Sequence, residues 1–248
     1  MNVISASYGN DSVAMIQLAR ELGLQDVHVV FVDTHWSAPG WLDRVAELEG
    51  WVRSLGFSVG HIKSPMTFEE LMVMKKGFPY NGKQWCSGIL KGIPFLDWIE
   101  QADPECKALV LIGKRREESV KRQDTPEFIE ASEYHGGRRV WHPLFEHTNA
   151  QRDEILRRAG IKPLPHRSKE CNPCINANKD DLRELTEWEI VRLEGLESRT
   201  GQTMFRPKKH GNAIGIRQVV DLANSRRGKY NPKQESMFNE CSSGYCGF

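Results

Sequence analysis

Six consecutive residues, Ser7-Tyr8-Gly9-Asn10-Asp11-Ser12, follow a short apolar segment that opens at Val3 and precede an amphipathic stretch over residues 13–22. Strand, small-residue loop and helix in that order build an anion site. Backbone N–H groups can approach a phosphate closely, and the helix N-terminus adds partial positive charge. Ser7 and Ser12 add hydroxyl donors. Asp11 is a carboxylate where an anion is expected, and two roles are open to it: capping the following helix, or positioning a metal that neutralises the phosphates. An ordinary strand–helix turn is the competing account of the motif.

Two other segments could face the same ligand. Phe31-Val32-Asp33-Thr34 ends an apolar run on an acid; Asp33 either contacts ribose hydroxyls or a metal, or caps a turn. Leu111-Ile112-Gly113-Lys114-Arg115-Arg116-Glu117-Glu118-Ser119, with Lys121 and Arg122 behind it, ends another run on a cluster of cations. Arginine offers a planar fork suited to phosphate or sulfate, and a solvated helix start is the alternative. Cys171 and Cys174 form a C-x-x-C, Cys241 and Cys246 lie near the end of the chain, and Cys86 and Cys106 stand alone. With no export signal recognisable, six cysteines ask for metal or redox chemistry rather than a disulfide framework.

The elements that must position these residues follow from the apolar pattern. Runs at residues 27–32, 58–62 and 108–112 read as buried strands, and residues 39–55, 67–75 and 89–99 between them read as helices. Strands alternating with helices imply a parallel sheet covered on both faces, with ligands outside the carboxyl ends of the strands. A further helix is predicted over residues 150–159, then a Pro-rich connection, the C-x-x-C turn and a charged helical stretch over 180–197. A boundary near residue 165 divides a nucleotide-binding domain, 1–165, from a C-terminal region, 166–248. The 248 residues are 39% hydrophobic and 9% aromatic, enough for a packed core. No run is long enough to span a membrane, and a cytoplasmic location is expected. Net charge is +1, but residues 199–233 hold nine Lys/Arg and one acid, whereas residues 1–100 hold eight Lys/Arg and eleven acids. The basic stretch is either a solvated face or a contact for nucleic-acid phosphate.

Taken in order, the segments resemble the phosphoadenosine phosphosulfate (PAPS) reductase family of the PP-loop superfamily, adenine nucleotide alpha-hydrolase-like in fold. The matching residues are the Ser7 to Ser12 loop, Val32-Asp33-Thr34, Cys86 with Lys91 and Pro94, Gly113 through Arg122, Trp141-His142-Pro143-Leu144, and Glu170-Cys171-Asn172-Pro173-Cys174. They cover about residues 1–180. The resemblance implies a doubly wound, mostly parallel α/β domain with a small cysteine-containing C-terminal region. It implies an adenine nucleotide (ATP, adenylyl sulfate or PAPS) held by Ser7, Tyr8, Gly9, Asn10, Asp11, Ser12, Asp33, Thr34, Gly113, Arg115, Glu118 and Ser119.

The cysteines carry a second implication. Adenylyl-sulfate reductases of the family hold a 4Fe–4S cluster on a Cys-Cys pair and a later C-x-x-C. Here Cys86 falls on the first of the pair, Ser87 on the second, and Cys171 follows 85 residues after Cys86. Cys86, Cys171 and Cys174 are then three ligands, with Cys241 or Cys246 as the fourth or one iron left open to carry sulfur; zinc is the alternative metal. Glu240-Cys241 resembles the start of the reductase tail, whose cysteine attacks sulfate sulfur, although Ser242-Ser243-Gly244 follows it where the family has Gly and His.

Three functions are consistent with these features. One is an ATP pyrophosphatase that adenylates a nucleic acid for sulfur insertion, by DNA phosphorothioation or tRNA thiolation, with a sulfur donor such as a cysteine desulfurase. Asp11-Ser12 and the basic tail favour it; Mg²⁺ would bridge the phosphates, Ser7, Gly9 and Ser12 cradle them, and Arg115 and Arg122 stabilise developing charge. The second is reduction of adenylyl sulfate or PAPS to sulfite with Cys241 as nucleophile and a thioredoxin-like reductant, favoured by Tyr8 and Glu240-Cys241. The third is a non-catalytic nucleotide-binding module.

Overall fold

A computed structural model describes residues 1–80, 83–118, 122–205 and 214–225. The chain opens with β1 (Asn2–Ser5), α1 (Asn10–Glu21), β2 (Val27–Asp33), α2 (Trp41–Ser54), β3 (Ser58–Lys63) and α3 (Phe68–Lys75). A short turn α4 (Trp85–Ser87) passes through a π-helical segment (Gly88–Gly92) into α5 (Ile93–Ala102), and β4 (Leu109–Leu111) follows. Next come β5 (Phe128–Ser132), β6 (Arg138–Trp141) and α6 (Asn149–Arg158). Three helices, α7 (Lys179–Arg183), α8 (Glu187–Thr200) and α9 (Ile216–Asn224), end the described part.

The strands form one six-stranded sheet in the order β3-β2-β1-β4-β6-β5, parallel except for β5, which runs antiparallel along the edge. Alternate residues of β2 explain why both faces are covered. Val29 and Phe31 join Ile4 and the buried faces of α1, α2 and α6, whereas Val30 and Val32 join Val3, Val110 and the Phe95 and Ile99 side chains of α5. A strand buried on both faces reads as a near-continuous apolar run, as residues 27–32 do.

The predicted single helix over 180–197 is two helices. Asn178 caps α7 and Thr186 caps α8, each in a reciprocal capping box, so chain direction changes at residues 184–186. Together with α9 these helices build a third core, in which Leu182, Leu193 and Leu196 pack with Trp36, Phe68 and Leu90 from the earlier part of the chain. Among the described residues no helix is long and apolar enough to cross a membrane.

The order of the strands locates the site. From β1 the chain winds outward through β2 and β3, then returns to β4 on the other side of β1. Connections leaving β1 and β4 therefore diverge, opening a crevice at their carboxyl ends. The Ser7 to Ser12 loop follows β1, and the Gly113 to Arg122 segment follows β4.

Candidate functional site: a cationic cleft with a cysteine wall

A cavity of about 470 Å³ lies at this switch point, with Ser7, Gly9, Asp11, Ser12, Gly113 and Arg115 on one side and Cys86, Cys171 and Cys174 on another. The structure thus gathers the loop, the β4 end and the cysteines around one space. Thr34 lines it too, and its buried Oγ1 has no hydrogen-bond partner among the described residues. Ser119, Cys241 and Cys246 lie outside the described residues, as do seven of the nine Lys/Arg of the basic stretch.

The loop is shorter than its sequence suggests, because α1 begins at Asn10 with Gly9 as its N-cap. Asn10, Asp11 and Ser12 therefore occupy the first helical turn, where a negative group is favoured. No side chain caps this helix. Asp11 instead accepts from Arg115 Nε at 2.5 Å through Oδ1, and the same oxygen lies 3.6 Å from Arg152 Nη1. The Ser12 hydroxyl donates to Gly9 O at 3.1 Å and lies 3.5 Å from the Ser7 hydroxyl. Asn10 also lines the cleft, with its side chain tied to the chain beyond α6. Its amide donates to Leu164 O and accepts from Leu164 N, both at 2.9 Å.

Tyr8 has a positive φ of 56°, and its ring is fully buried beside Phe31, 6.0 Å between centroids. Tyr8 thus contributes backbone rather than a phenol to the loop. Its phenolic oxygen has no partner among the described residues, and burial raises its pKa. Asp33 is buried and accepts from His35 N at 2.8 Å, the geometry of a turn cap.

Arg115 is the centre of the cation array. It is buried, and besides Asp11 its guanidinium donates to Asn149 Oδ1 at 3.0 Å and His147 O at 3.4 Å. Glu118 accepts from Arg115 N at 3.1 Å and pairs with Arg122. Glu118 is therefore a clamp for two arginines, not a free charge. Burial, with the Arg167 and Arg115 charges, lowers the Arg122 pKa, and burial beside Arg122 brings Lys114 down to about 8. Spacing alone does not single out Asn149 and Arg152. The signal that points to them is the capping box of Thr148 with Gln151, which sets α6 one residue earlier than its apolar pattern and puts both on its first turn.

His142 sits behind this array, with a ring N–H donating to Pro126 O at 2.8 Å. Burial keeps it neutral, with its pKa lowered from 6.5 to about 4. Since the unfolded chain binds the proton first, His142 contributes stability that is complete above pH 6.5 and is lost as pH falls toward 4. The urea midpoint is expected to fall across this interval, and His142→Asn to flatten that fall; an unchanged slope would show that His142 is not the group responsible.

On the cysteine wall, the Cys171–Cys174 hydrogen bond splits the pair, favouring the Cys174 thiolate and keeping Cys171 protonated. Burial pushes Cys86 up to about 12. A buried ion pair, Lys91 Nζ to Glu170 Oε1 at 2.6 Å, stands beside them. Among the described residues no group of three or more His, Cys, Asp or Glu is arranged to hold a metal ion. The three sulfurs fit a soft metal in kind, but the described residues supply no complete ligand set. Cys106 is exposed and far along the chain from this wall, at the turn before β4.

The 164–173 segment is tied across the loop. Ala38 N donates to Lys169 O at 2.9 Å, Asn172 N to Trp36 O at 2.7 Å, and Trp36 Nε1 to Pro173 O at 3.0 Å. Ser168 presses on the loop so closely that a Cβ at Gly9 would lie 2.9 Å from Ser168 Cβ.

Known proteins are similar to this chain. An uncharacterized 37.8 kDa protein of Escherichia phage 186, encoded in its gpa 5′ region, is 28% identical over 214 residues, 73% of this chain and 64% of that protein. The chain thus spans just under two thirds of that relative's length. The phosphoadenylyl-sulfate (PAPS) reductase of Candida auris, solved as a phosphate complex, is 19% identical with a TM-score of 0.45, covering 65% of this chain and 74% of its own. The NMN synthetase of Francisella tularensis is 12% identical with a TM-score of 0.48, covering 84% and 89%. Residues 1–172 match the model of the phosphoadenosine phosphosulfate reductase domain, and the chain belongs to that family.

Proposed function

We propose that this chain releases pyrophosphate from ATP, transfers the adenylyl group to an oxygen of a nucleic-acid acceptor, and lets a sulfur donor displace AMP. The observation that carries this reading is Asp11. One of its oxygens engages Arg115 and Arg152, and the other has no hydrogen bond among the described residues, although the side chain borders the cleft. A carboxylate so placed, with the Ser7 and Ser12 hydroxyls beside it, suits Mg²⁺, which takes hard oxygens from one or two carboxylates and the substrate phosphates. When bound, the ion would neutralise the phosphates and make the α-phosphorus more electrophilic.

The chain's own residues do the rest. The loop N–H groups and the start of α1 hold the pyrophosphate portion. Arg115 and Arg122, fixed by Asp11, Asn149 and Glu118, face charge that develops as the acceptor oxygen–phosphorus bond forms and the bond to the leaving pyrophosphate breaks. Thr34 borders the nucleoside end, with Asp33 buried behind it as the cap of that turn. The acceptor is DNA, for phosphorothioation, or a tRNA base; the basic balance of residues 199–233 supports a polyanion. The sulfur donor is a cysteine desulfurase or a similar carrier. Cys86, Cys171 and Cys174 are read as the seat of a 4Fe–4S cluster, or of zinc, with Cys241 or Cys246 as fourth ligand, and no step above passes through it.

A second reading is favoured by the family match: reduction of adenylyl sulfate or PAPS to sulfite, with Cys241 as nucleophile and a thioredoxin-like reductant. A panel of ATP, adenylyl sulfate and PAPS on anaerobically purified protein separates the two. Pyrophosphate release from ATP, abolished in Asp11→Ala, is the expected result. Sulfite from adenylyl sulfate with ATP inert would overturn the first reading, and no turnover of any of the three would leave a binding module. The same preparation should be brown and hold iron and acid-labile sulfide that Cys171→Ser loses; colourless protein with stoichiometric zinc would replace the cluster.

A further inference from the structure

We propose that Arg167 is a specificity-determining ligand of the polyphosphate, reaching the cleft from the segment that leads to the C-x-x-C. The inference rests on the reading of the cleft as a nucleotide site and adds to it a residue outside the loop and the β4 end.

Residues 164–169 cross the mouth of the loop as a strap fixed at both ends, at Leu164 by the reciprocal amide bonds of Asn10 and at Lys169 by the N–H of Ala38. Ser168 rests on Gly9. Arg167 is the residue before that contact, so its backbone is held beside the phosphate loop before any ligand arrives. Ordering of the strap, a cost that weakens binding by mobile loops, is thereby already met.

Arg167 lines the cleft together with Asp11, Arg115 and Arg152. Its charge adds to the burial that lowers the Arg122 pKa, and its guanidinium meets the chain just past the C-x-x-C through Asn176 O. Arg115 and Arg152 come from β4 and α6; Arg167 comes from the strap. An anion in the cleft thus meets cations from three separate segments.

A guanidinium offers five N–H groups. In Arg167, Nη1 donates to Asn176 O at 3.0 Å, and the Asp181 carboxylate is 3.7 Å away, beyond hydrogen-bond distance. That carboxylate is itself engaged by the N–H of Asn178 in the cap of α7. Among the described residues Arg167 is thus aimed by one carbonyl and steadied by one distant charge, and most of its fork is left for a planar, bidentate contact with phosphate. Arg115, by contrast, is enclosed by four acceptors.

A tail ligand discriminates by the number of phosphates, which gives the test its form. Equilibrium binding of ATP and of AMP, each with Mg²⁺ and without acceptor, is measured on the full chain and on Arg167→Ala and Arg167→Lys. Arg167→Ala is expected to weaken ATP by about 10–100-fold, the worth of one or two charge-assisted hydrogen bonds, and AMP by less than about 3-fold, with Arg167→Lys intermediate. Equal losses for both nucleotides would make Arg167 a support of the strap and overturn the inference, as would an unchanged ATP affinity or a wild-type chain that binds ATP no better than AMP. A thermal midpoint for Arg167→Lys matching wild type keeps folding out of the comparison. Because the readout is binding, failure of pyrophosphate release would overturn the proposed reaction without touching this result.

Discussion

An Arg115→Met chain is expected to lose about 10²–10³-fold in turnover of its nucleotide, the usual consequence of removing one preorganised group that faces developing charge. The geometry spreads the damage over three elements. Arg115 is buried, and its guanidinium ties together the start of α1 through Asp11, the start of α6 through Asn149 and the turn at His147. Methionine keeps the length and removes every donor. Asp11 then keeps the 3.6 Å contact with Arg152 but loses its 2.5 Å hydrogen bond, and Asn149 loses its guanidinium donor. The loss should fall on kcat more than on KM, because the loop N–H groups still bind phosphate. Steady-state pyrophosphate release, with sulfite release from adenylyl sulfate as the parallel assay, decides it: a kcat within 3-fold of wild type would remove Arg115 from the catalytic group.

Asp103→Ala is expected to cost about 3–5 kcal/mol of folding stability, the penalty of leaving a buried charge without its partner. Arg138 is among the largest fully buried side chains of the protein. Its Nε donates to Asp103 Oδ2 at 2.7 Å, and its other nitrogens reach Asp103 O at 2.6 Å, Ile99 O at 3.3 Å and His135 O at 3.3 Å. Asp103 also caps the turn into β4 by accepting from Lys107 N and Ala108 N, and its pKa is lowered by these bonds and the Arg138 charge against the opposing effect of burial. Alanine removes the acceptor for three donors at once. A urea denaturation curve with an unchanged slope and a much lower midpoint is the expected result; a shift under about 1 kcal/mol would mean that water reaches the guanidinium.

How much of this could be read from residues alone differs from element to element. The parallel core was legible because Val27 to Val32 is buried on both faces, leaving an unbroken apolar signal. β5 was not, because an antiparallel edge strand with Glu130 among its residues and most of its side chains exposed carries no such run. The break between α7 and α8 was hidden by charged residues on either side, although two capping boxes mark it. In the site, the loop and the β4 end were visible as motifs, since each is a short run of unusual residues. Arg152 and Arg167 were not, because nothing in their neighbourhood sets them apart until the fold brings α6 and the strap to the loop. Tyr8 was visible as a departure from small residues, but its burial beside Phe31 depends on a positive φ that only the fold displays.

The contact between Gly9 and Ser168 makes these two positions a linked pair in evolution as well as in space. A Cβ at residue 9 would fall 2.9 Å from the Ser168 Cβ, so any lineage that acquires alanine at 9 must yield at 168, by glycine there or by a displaced strap. Substitutions in the phosphate loop and in the segment leading to the cysteines are therefore not independent draws. The two halves of the cleft, 159 residues apart in sequence, inherit change together, and a chimera that joins the loop of one relative to the cysteine segment of another should fail unless both positions come from the same parent.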